Sequence, residues 1–170
     1  VNWDLSEQDN DLLEFTRTMM WLRRDHPVLR RRRFFTGDAR HGGESELGEI
    51  EWLTPAGESM TDQDWTTWYA RAMMVFLNGE AIAEPDERGQ RIVDDSFLVL
   101  INASDEDITF TLPGEGYAPT WKVALDTAPA VDGDSDPVLA ADDTVVVEAR
   151  SMLFLIDAPE SAATTERHPR

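Results

Sequence analysis

The stretch Ser-Phe-Leu-Val-Leu-Ile at residues 96–101, followed by Asn-Ala-Ser-Asp-Glu-Asp at 102–107 and Ile-Thr-Phe-Thr-Leu at 108–112, decides the fold class. A short, continuous apolar run such as 96–101 is typical of a central strand that is buried on both faces. Residues 108–112 alternate apolar and polar side chains, as a half-buried strand does. Because a polar turn separates the two runs, we expect them to pair antiparallel.

Six further short segments predict strands on either side of this pair. They are residues 31–35, 48–53, 71–77, 121–125, 144–149 and 151–156. Pro55 and Gly57 predict a turn after the second of these, and Asn78-Gly79 predicts a tight hairpin because both residues tolerate positive φ. Thr61 with Asp64 predicts the capped start of a short helical turn. Seven or eight strands at this spacing predict a mainly β fold, an antiparallel β-sandwich of Greek-key type.

The N-terminal residues break this pattern and predict an α-helix, which Ser6 and Asp9 would cap at its start. Pro27 ends the helix, because the residue before a proline is pushed out of the helical region. At helical spacing the apolar side chains cover about half of the circumference, which is wider than the stripe expected of a helix on one core. These side chains are Leu12, Leu13, Phe15, Met19, Met20 and Leu22, with Trp21 farther round. The width predicts contact with two bodies, a β-domain and a surface outside this chain; a single deep core and a dimer are the alternatives.

Composition excludes several classes of function. The chain has 170 residues and 41% hydrophobic content, enough for one domain with a core of its own. Its formal net charge of −19 argues against nucleic acids and anionic membranes as partners, because their phosphates would be repelled. Without cysteine it offers no disulfide, thiolate metal site or cysteine nucleophile. Because no apolar stretch is long enough for a membrane helix, we expect a cytoplasmic protein.

Candidate metal ligands and phosphate-binding motifs are weak. His26, His41 and His168 are isolated from one another in the sequence, and we interpret them as structural. The arginines at 30–33 favour salt bridges over an anion site, because alternation along a strand would place half of them on each face and the chain as a whole is acidic. We therefore expect no cofactor-binding or metal site in this chain.

An acidic segment at residues 132–136, Asp-Gly-Asp-Ser-Asp, begins like a calcium-binding loop. Pro137 stands where that motif needs glycine, and Asp143 stands where it needs a bidentate glutamate. We interpret the segment as a solvated loop.

Six tryptophans raise the question of carbohydrate contact, because exposed aromatic faces stack on sugar rings. Periodic placement favours core or interface positions for Trp21, Trp52 and Trp121. Trp65 and Trp68 lie in a polar stretch and are the two candidate glucan contacts.

Several segments resemble the bacterial glycogen debranching enzymes, the isoamylase-like branch of glycoside hydrolase family 13. The N-terminal helix with the His-Pro-Val-Leu stretch at 26–29 is similar to the last helix of their (β/α)8 barrel, and the rest resembles their C-terminal domain. The segments that carry the resemblance are 12–17, 22–24, 26–29, 50–57, 60–61, 64–65, 94–103 and 109–113.

This resemblance implies that residues 1–28 are the terminal helix of a truncated barrel, that 29–157 form a C-terminal β-sandwich, and that 158–170 are a disordered tail. It implies a parent enzyme, without cofactor, that hydrolyses α-1,6 branch linkages of glycogen with retention of configuration. An aspartate nucleophile, a glutamate acid and a second aspartate would carry the reaction. All three would lie in the barrel upstream of Val1, and no acid in this chain occupies their motif positions. The expected partners are the barrel of the same polypeptide and, through it, glycogen.

Two rival interpretations remain open. In the first, the chain is a stand-alone carbohydrate-binding module that uses Trp65 or Trp68. In the second, it is an assembly domain that self-associates through Leu12, Phe15 and Met19.

Overall fold

The computed structural model describes residues 6–35, 47–67, 70–128 and 137–158. Its two α-helices are α1 (Glu7–Asp25) and α2 (Asp62–Thr66), and short 3₁₀ turns cover Pro27–Arg30 and Gly79–Ala81. The strands are β1 (Ile50–Leu53), β2 (Ala72–Leu77), β3 (Phe97–Asn102), β4 (Ile108–Thr111), β5 (Thr120–Asp126), β6 (Val138–Ala140), β7 (Thr144–Val147) and β8 (Ser151–Asp157). The fold is mainly β, as the sequence predicts.

The strands form two sheets. Six of them lie in the order β1-β2-β3-β8-β5-β6, and β4 pairs with β7 in a second, two-stranded sheet. β5 pairs antiparallel with both β6 and β8, so that Trp121 lies opposite Leu139 on one side and Asp157 on the other. This arrangement fits the predicted β-sandwich class.

The chain divides into two compact units. The first consists of Val1–Glu51 and Phe76–Phe97, and the second of Trp52–Val75 and Leu98–Arg170. The first unit contains α1 and both 3₁₀ turns, and its buried apolar residues include Val28, Phe76 and Phe97. The second unit contains α2 and strands β4 to β8, and its buried side chains include Phe110 and Trp121.

The predicted antiparallel pair of 96–101 and 108–112 is wrong. β3 has β2 and β8 as its neighbours, and β4 pairs with β7 instead. Asn102, which is almost fully buried, explains the difference. Its side-chain amide donates to the carbonyls of Glu106, Val147 and Glu148, and its Oδ1 accepts from the Ser104 N–H. These bonds turn the chain out of the first sheet and place β4 beside β7.

The predicted strand at 31–35 does not form either. The backbone N–H groups of Arg32 and Arg33 donate to the Glu84 carboxylate at 2.9 and 2.5 Å, so that a side chain takes the place of a strand partner. Strand β6 is not predicted by the sequence pattern. The predicted strands at 48–53, 71–77, 121–125, 144–149 and 151–156 are confirmed, with small shifts at their ends.

The expected hairpin at Asn78-Gly79 is a 3₁₀ turn instead. The Asn78 side chain accepts from the Glu80 N–H and caps this turn. Gly79 is needed there for space, because a Cβ atom would lie 2.1 Å from the carbonyl oxygen of Asp94. The turn predicted at Gly57 is confirmed, since its φ of +84° lies in the region that glycine favours.

Candidate functional site

Helix α1 begins as predicted and leaves its apolar side chains uncovered. Ser6 and Asp9 form the capping box, in which the Ser6 hydroxyl accepts from the Asp9 N–H and the Asp9 carboxylate accepts from the Ser6 N–H. These hydrogen bonds hold the pKa of Asp9 below its usual value. No residue of α1 is buried, and Leu12, Met20 and Trp21 are 64%, 67% and 59% exposed. The described part of the chain therefore provides no deep core around this helix.

The end of α1 is held by a hydrogen-bonded joint around Asp94. His26, the C-terminal cap residue, places Nδ1 2.9 Å from Asp94 Oδ1, and the Val28 N–H donates to Asp94 Oδ2 at 2.9 Å. The imidazole ring also contacts Phe97 edge-on, with 4.9 Å between ring centroids. Sequence spacing could not reveal this joint, because 68 residues separate His26 from Asp94.

The same joint contains a group that could in principle hold a metal ion. Ligand atoms of His26, Asp94 and Asp95 lie within 4.8 Å of one another. Both oxygens of Asp94 already accept hydrogen bonds from the protein, and its side chain is only 8% exposed. These contacts account for the cluster without a metal and favour the structural interpretation of His26.

Arg31 forms a buried cationic anchor in the first unit. Its guanidinium lies 3.8 Å from the Glu49 carboxylate and donates to the carbonyls of Asn78 and Ala81. Burial lowers the pKa of Arg31, and the nearby carboxylates oppose that effect. The predicted salt bridge is thus met by Arg31. Its neighbours Arg30, Arg32 and Arg33 show no ion pair within the described ranges.

The second unit carries an exposed aromatic pair formed by Trp52 of β1 and Trp65 of α2. The two rings contact each other edge-on at 5.2 Å between centroids, with 74° between their planes. Trp52 is 38% and Trp65 50% exposed. Trp52 was predicted to be a core or interface residue, and it does not lie in the core. Its outward position follows from the alternation of side chains in β1, where the next residue, Leu53, is fully buried.

A capping box fixes the helix that presents Trp65. The backbone N–H and the hydroxyl of Thr61 donate to the Asp64 carboxylate at 2.8 and 2.7 Å, as the sequence predicts. These bonds hold the pKa of Asp64 below its ordinary value. Helix α2 contains only five residues, so this local network decides its position.

A cavity of about 300 Å³ lies beside α2 and is lined in part by Thr54, Met60, Gln63 and Asp64. The Thr54 hydroxyl oxygen is buried there and has no hydrogen-bond partner. A buried polar group of this kind carries a desolvation cost until a partner supplies a hydrogen bond.

The remaining predicted site residues need only a short account. Trp121 is fully buried, as expected, whereas Trp21 is exposed on α1. Asp143 accepts from the Ala140 N–H at 2.7 Å, so its carboxylate stabilises a turn. Trp68, His41, His168 and residues 132–136 lie outside the described residues, as does almost all of 158–170. No helix among the described residues is long and apolar enough to span a membrane.

Comparison with known proteins confirms the resemblance. Residues 49–158 match the model of the isoamylase C-terminal family. The chain is 49% identical to a glycogen operon protein GlgX homolog of Mycobacterium tuberculosis, over 91% of this chain and 21% of that protein. It is 27% identical to a glycogen debranching enzyme of Dickeya chrysanthemi, over 73% of this chain and 14% of that enzyme. An isoamylase of Flavobacterium is 25% identical, over 91% of this chain and 20% of its own length.

The chain thus spans about a fifth of the length of these relatives, or less. The family match covers well over half of the chain, including all eight strands. The chain belongs to the isoamylase C-terminal domain family.

Proposed function

We propose that this chain is the C-terminal segment of a cytoplasmic glycogen debranching enzyme, which hydrolyses α-1,6 branch linkages, and that the segment itself is not catalytic. The family match over residues 49–158 is the observation that carries the proposal. Similarity to proteins named as a glycogen debranching enzyme and an isoamylase supplies the activity.

The exposed face of α1 supports the structural role. Residues 1–28 would be the last helix of the catalytic barrel, and 29–157 the β-sandwich domain. Large apolar side chains stay in water on this helix, and covering them would gain about 25 cal/mol per Å². In the proposal the rest of the same polypeptide covers them, and the joint at Asp94 holds the end of the helix.

The carboxylate cluster at Asp94 and Asp95 is poorly suited to the proposed chemistry. A retaining glycosidase needs a nucleophilic carboxylate and an acid on opposite sides of the scissile bond, about 5 Å apart. Asp94 and Asp95 lie close together, but both oxygens of Asp94 already accept hydrogen bonds and its side chain is only 8% exposed. We therefore assign the catalytic acids to the part of the enzyme outside this chain.

Assays of the full-length protein and of this segment test the proposal. With glycogen as substrate, the full-length protein is expected to release linear chains, and the segment is expected to release none. Proton NMR of the first product should show the α-anomer, as retention requires. Chain release by the segment alone would contradict the non-catalytic role, and an inactive full-length protein would contradict the debranching function.

The exposed face of α1 also supports the second rival, self-association of the segment. Sedimentation equilibrium of the full-length protein separates the two cases. If the barrel covers the exposed face of α1, the protein cannot dimerise through that face. If Leu12→Asp dissociates a full-length dimer without affecting its hydrolysis of glycogen, the assembly interpretation takes the place of the structural one.

A further inference from the structure

We propose that Trp52 and Trp65 form a binding surface for linear α-1,4-linked glucan chains. The class of ligand rests on the proposed function, and the location of the binding surface rests on the structure. Both residues lie in the second unit, on β1 and α2.

The first observation is exposure. Two of the largest apolar side chains in the protein contact each other and yet remain 38% and 50% exposed. Covering a large aromatic side chain gains about 1.5–3 kcal/mol, so an exposed pair can contribute binding free energy to a ligand with an apolar face. The faces of glucose rings carry C–H groups that pack on aromatic faces, as the ring quadrupole favours.

The second observation is the angle between the rings. At 74° the two rings do not form a flat platform. A flat platform suits an extended polymer, in which successive sugars lie nearly in one plane. α-1,4-linked chains curve, and two aromatic faces set at an angle can follow successive glucose units round that curve.

Polar groups beside the pair supply a third observation. Thr54 and Gln63, two residues before Trp65, line the same cavity, and Gln63 is exposed. A sugar hydroxyl that entered this cavity could bond the Gln63 amide. Exposed Glu58 and Asp62 add carboxylate acceptors in the same segment.

Charge decides between a neutral and an anionic ligand. The chain carries a net charge of −19, and the segment from Trp52 to Thr67 contains acids but no arginine, lysine or histidine. An anion that stacks on tryptophan, such as a nucleotide, would be repelled, whereas a neutral polyol would not. The surface therefore fits a neutral carbohydrate.

The binding surface is also preorganised by backbone and capping hydrogen bonds. The Met60 N–H donates to the Trp52 carbonyl at 2.8 Å, and the Thr61–Asp64 capping box fixes the start of α2. Binding to a preorganised surface costs less conformational entropy than ordering a loop around the ligand.

Affinity electrophoresis of the 170-residue chain through gels that contain glycogen tests the proposal. Trp65→Ala and Trp52→Ala should each weaken retention by about tenfold, the loss expected for removal of one stacking ring. Trp65→Phe keeps an aromatic ring and should retain most of the binding. Phe34→Ala is the matched control, because Phe34 is 97% exposed in the other unit, and it should bind as the unchanged chain does.

Absence of retention in the unchanged chain, or equal retention in all variants, would overturn the proposal. Equal weakening by Phe34→Ala would also overturn it, because that would show non-specific aromatic contact. Should Trp52→Ala unfold, as circular dichroism would reveal, the comparison of Trp65→Ala with Trp65→Phe decides the question.

Assays of the full-length protein separate this inference from the proposed function. Trp65→Ala should raise KM for glycogen several-fold, and it should raise KM for a short branched oligosaccharide less. Full activity on both substrates in this variant would overturn the binding surface alone. An unmodified protein that hydrolyses neither substrate would overturn the debranching function, and retention of the chain by glycogen would then still stand as a result.

Discussion

Helix α1 and strand β3 use the same kinds of side chain in opposite ways. In β3, Phe97, Leu98 and Leu100 are fully buried, whereas no residue of α1 is buried in spite of its leucines, methionines and tryptophan. Among the described residues, α1 is held by its capping box and by the joint at Asp94, because none of its residues is buried. The difference supports the proposal that the rest of the polypeptide covers α1.

The largest expected effect is a loss of stability when a buried side chain is truncated. Leu100→Ala removes a fully buried side chain of β3 and should lower the free energy of unfolding by about 2–5 kcal/mol. Met20→Ala, on the exposed face of α1, should change it by less than about 0.5 kcal/mol in the 170-residue chain. Urea unfolding followed by fluorescence measures both. Similar losses for the two variants would show that α1 is packed within the chain.

A smaller effect is expected at the joint that holds the end of α1. Asp94→Ala leaves the Val28 N–H without its acceptor and removes the partner of His26, and it should cost about 1–3 kcal/mol. Asp95→Ala is the matched control, because the Asp95 carboxylate is 52% exposed and lies 3.9 Å from His26. A loss from Asp95→Ala as large as that from Asp94→Ala would argue against the joint.

The smallest effect concerns the two capping boxes and depends on pH. Hydrogen bonds from Ser6 and Thr61 lower the pKa of Asp9 and Asp64 below their ordinary value of 3.8. Their stabilising contribution is therefore complete above pH 3.8 and is lost as the pH falls through the lower pKa of the folded state.

Circular dichroism between pH 7 and pH 2.5 should show a loss of helical signal at the acidic end, in this case from α1 because it is the longer helix. Asp9→Asn should remove much of this pH dependence. An unchanged titration in that variant would mean that other carboxylates control the helix.

Local patterns in the sequence predict most elements of this fold but not their partners. Strands such as β2 and β8 are read directly from apolar runs, and both capping boxes from a three-residue spacing. The partner of β4 depends on hydrogen bonds from Asn102 to carbonyls 45 and 46 residues away, which no local pattern contains.

The candidate surface shows the same limit. A polar setting singled out Trp65, but its contact with Trp52 joins a strand to a helix across a turn. Alternation along β1 alone cannot say which of its faces is covered, so periodicity predicts only a core or interface position for Trp52. The lack of a hydrogen-bond partner for the Thr54 hydroxyl depends on the folded chain around it, and no local sequence pattern reveals it.

Hydrogen–deuterium exchange of α1 tests the central claim most directly, namely that the rest of the polypeptide covers the apolar face of this helix. In the 170-residue chain the amides of residues 12–22 should exchange rapidly, because little packing opposes local opening. In the full-length protein the same amides should exchange slower by about tenfold or more, as buried helices do. Equal exchange rates in the two proteins would contradict the claim.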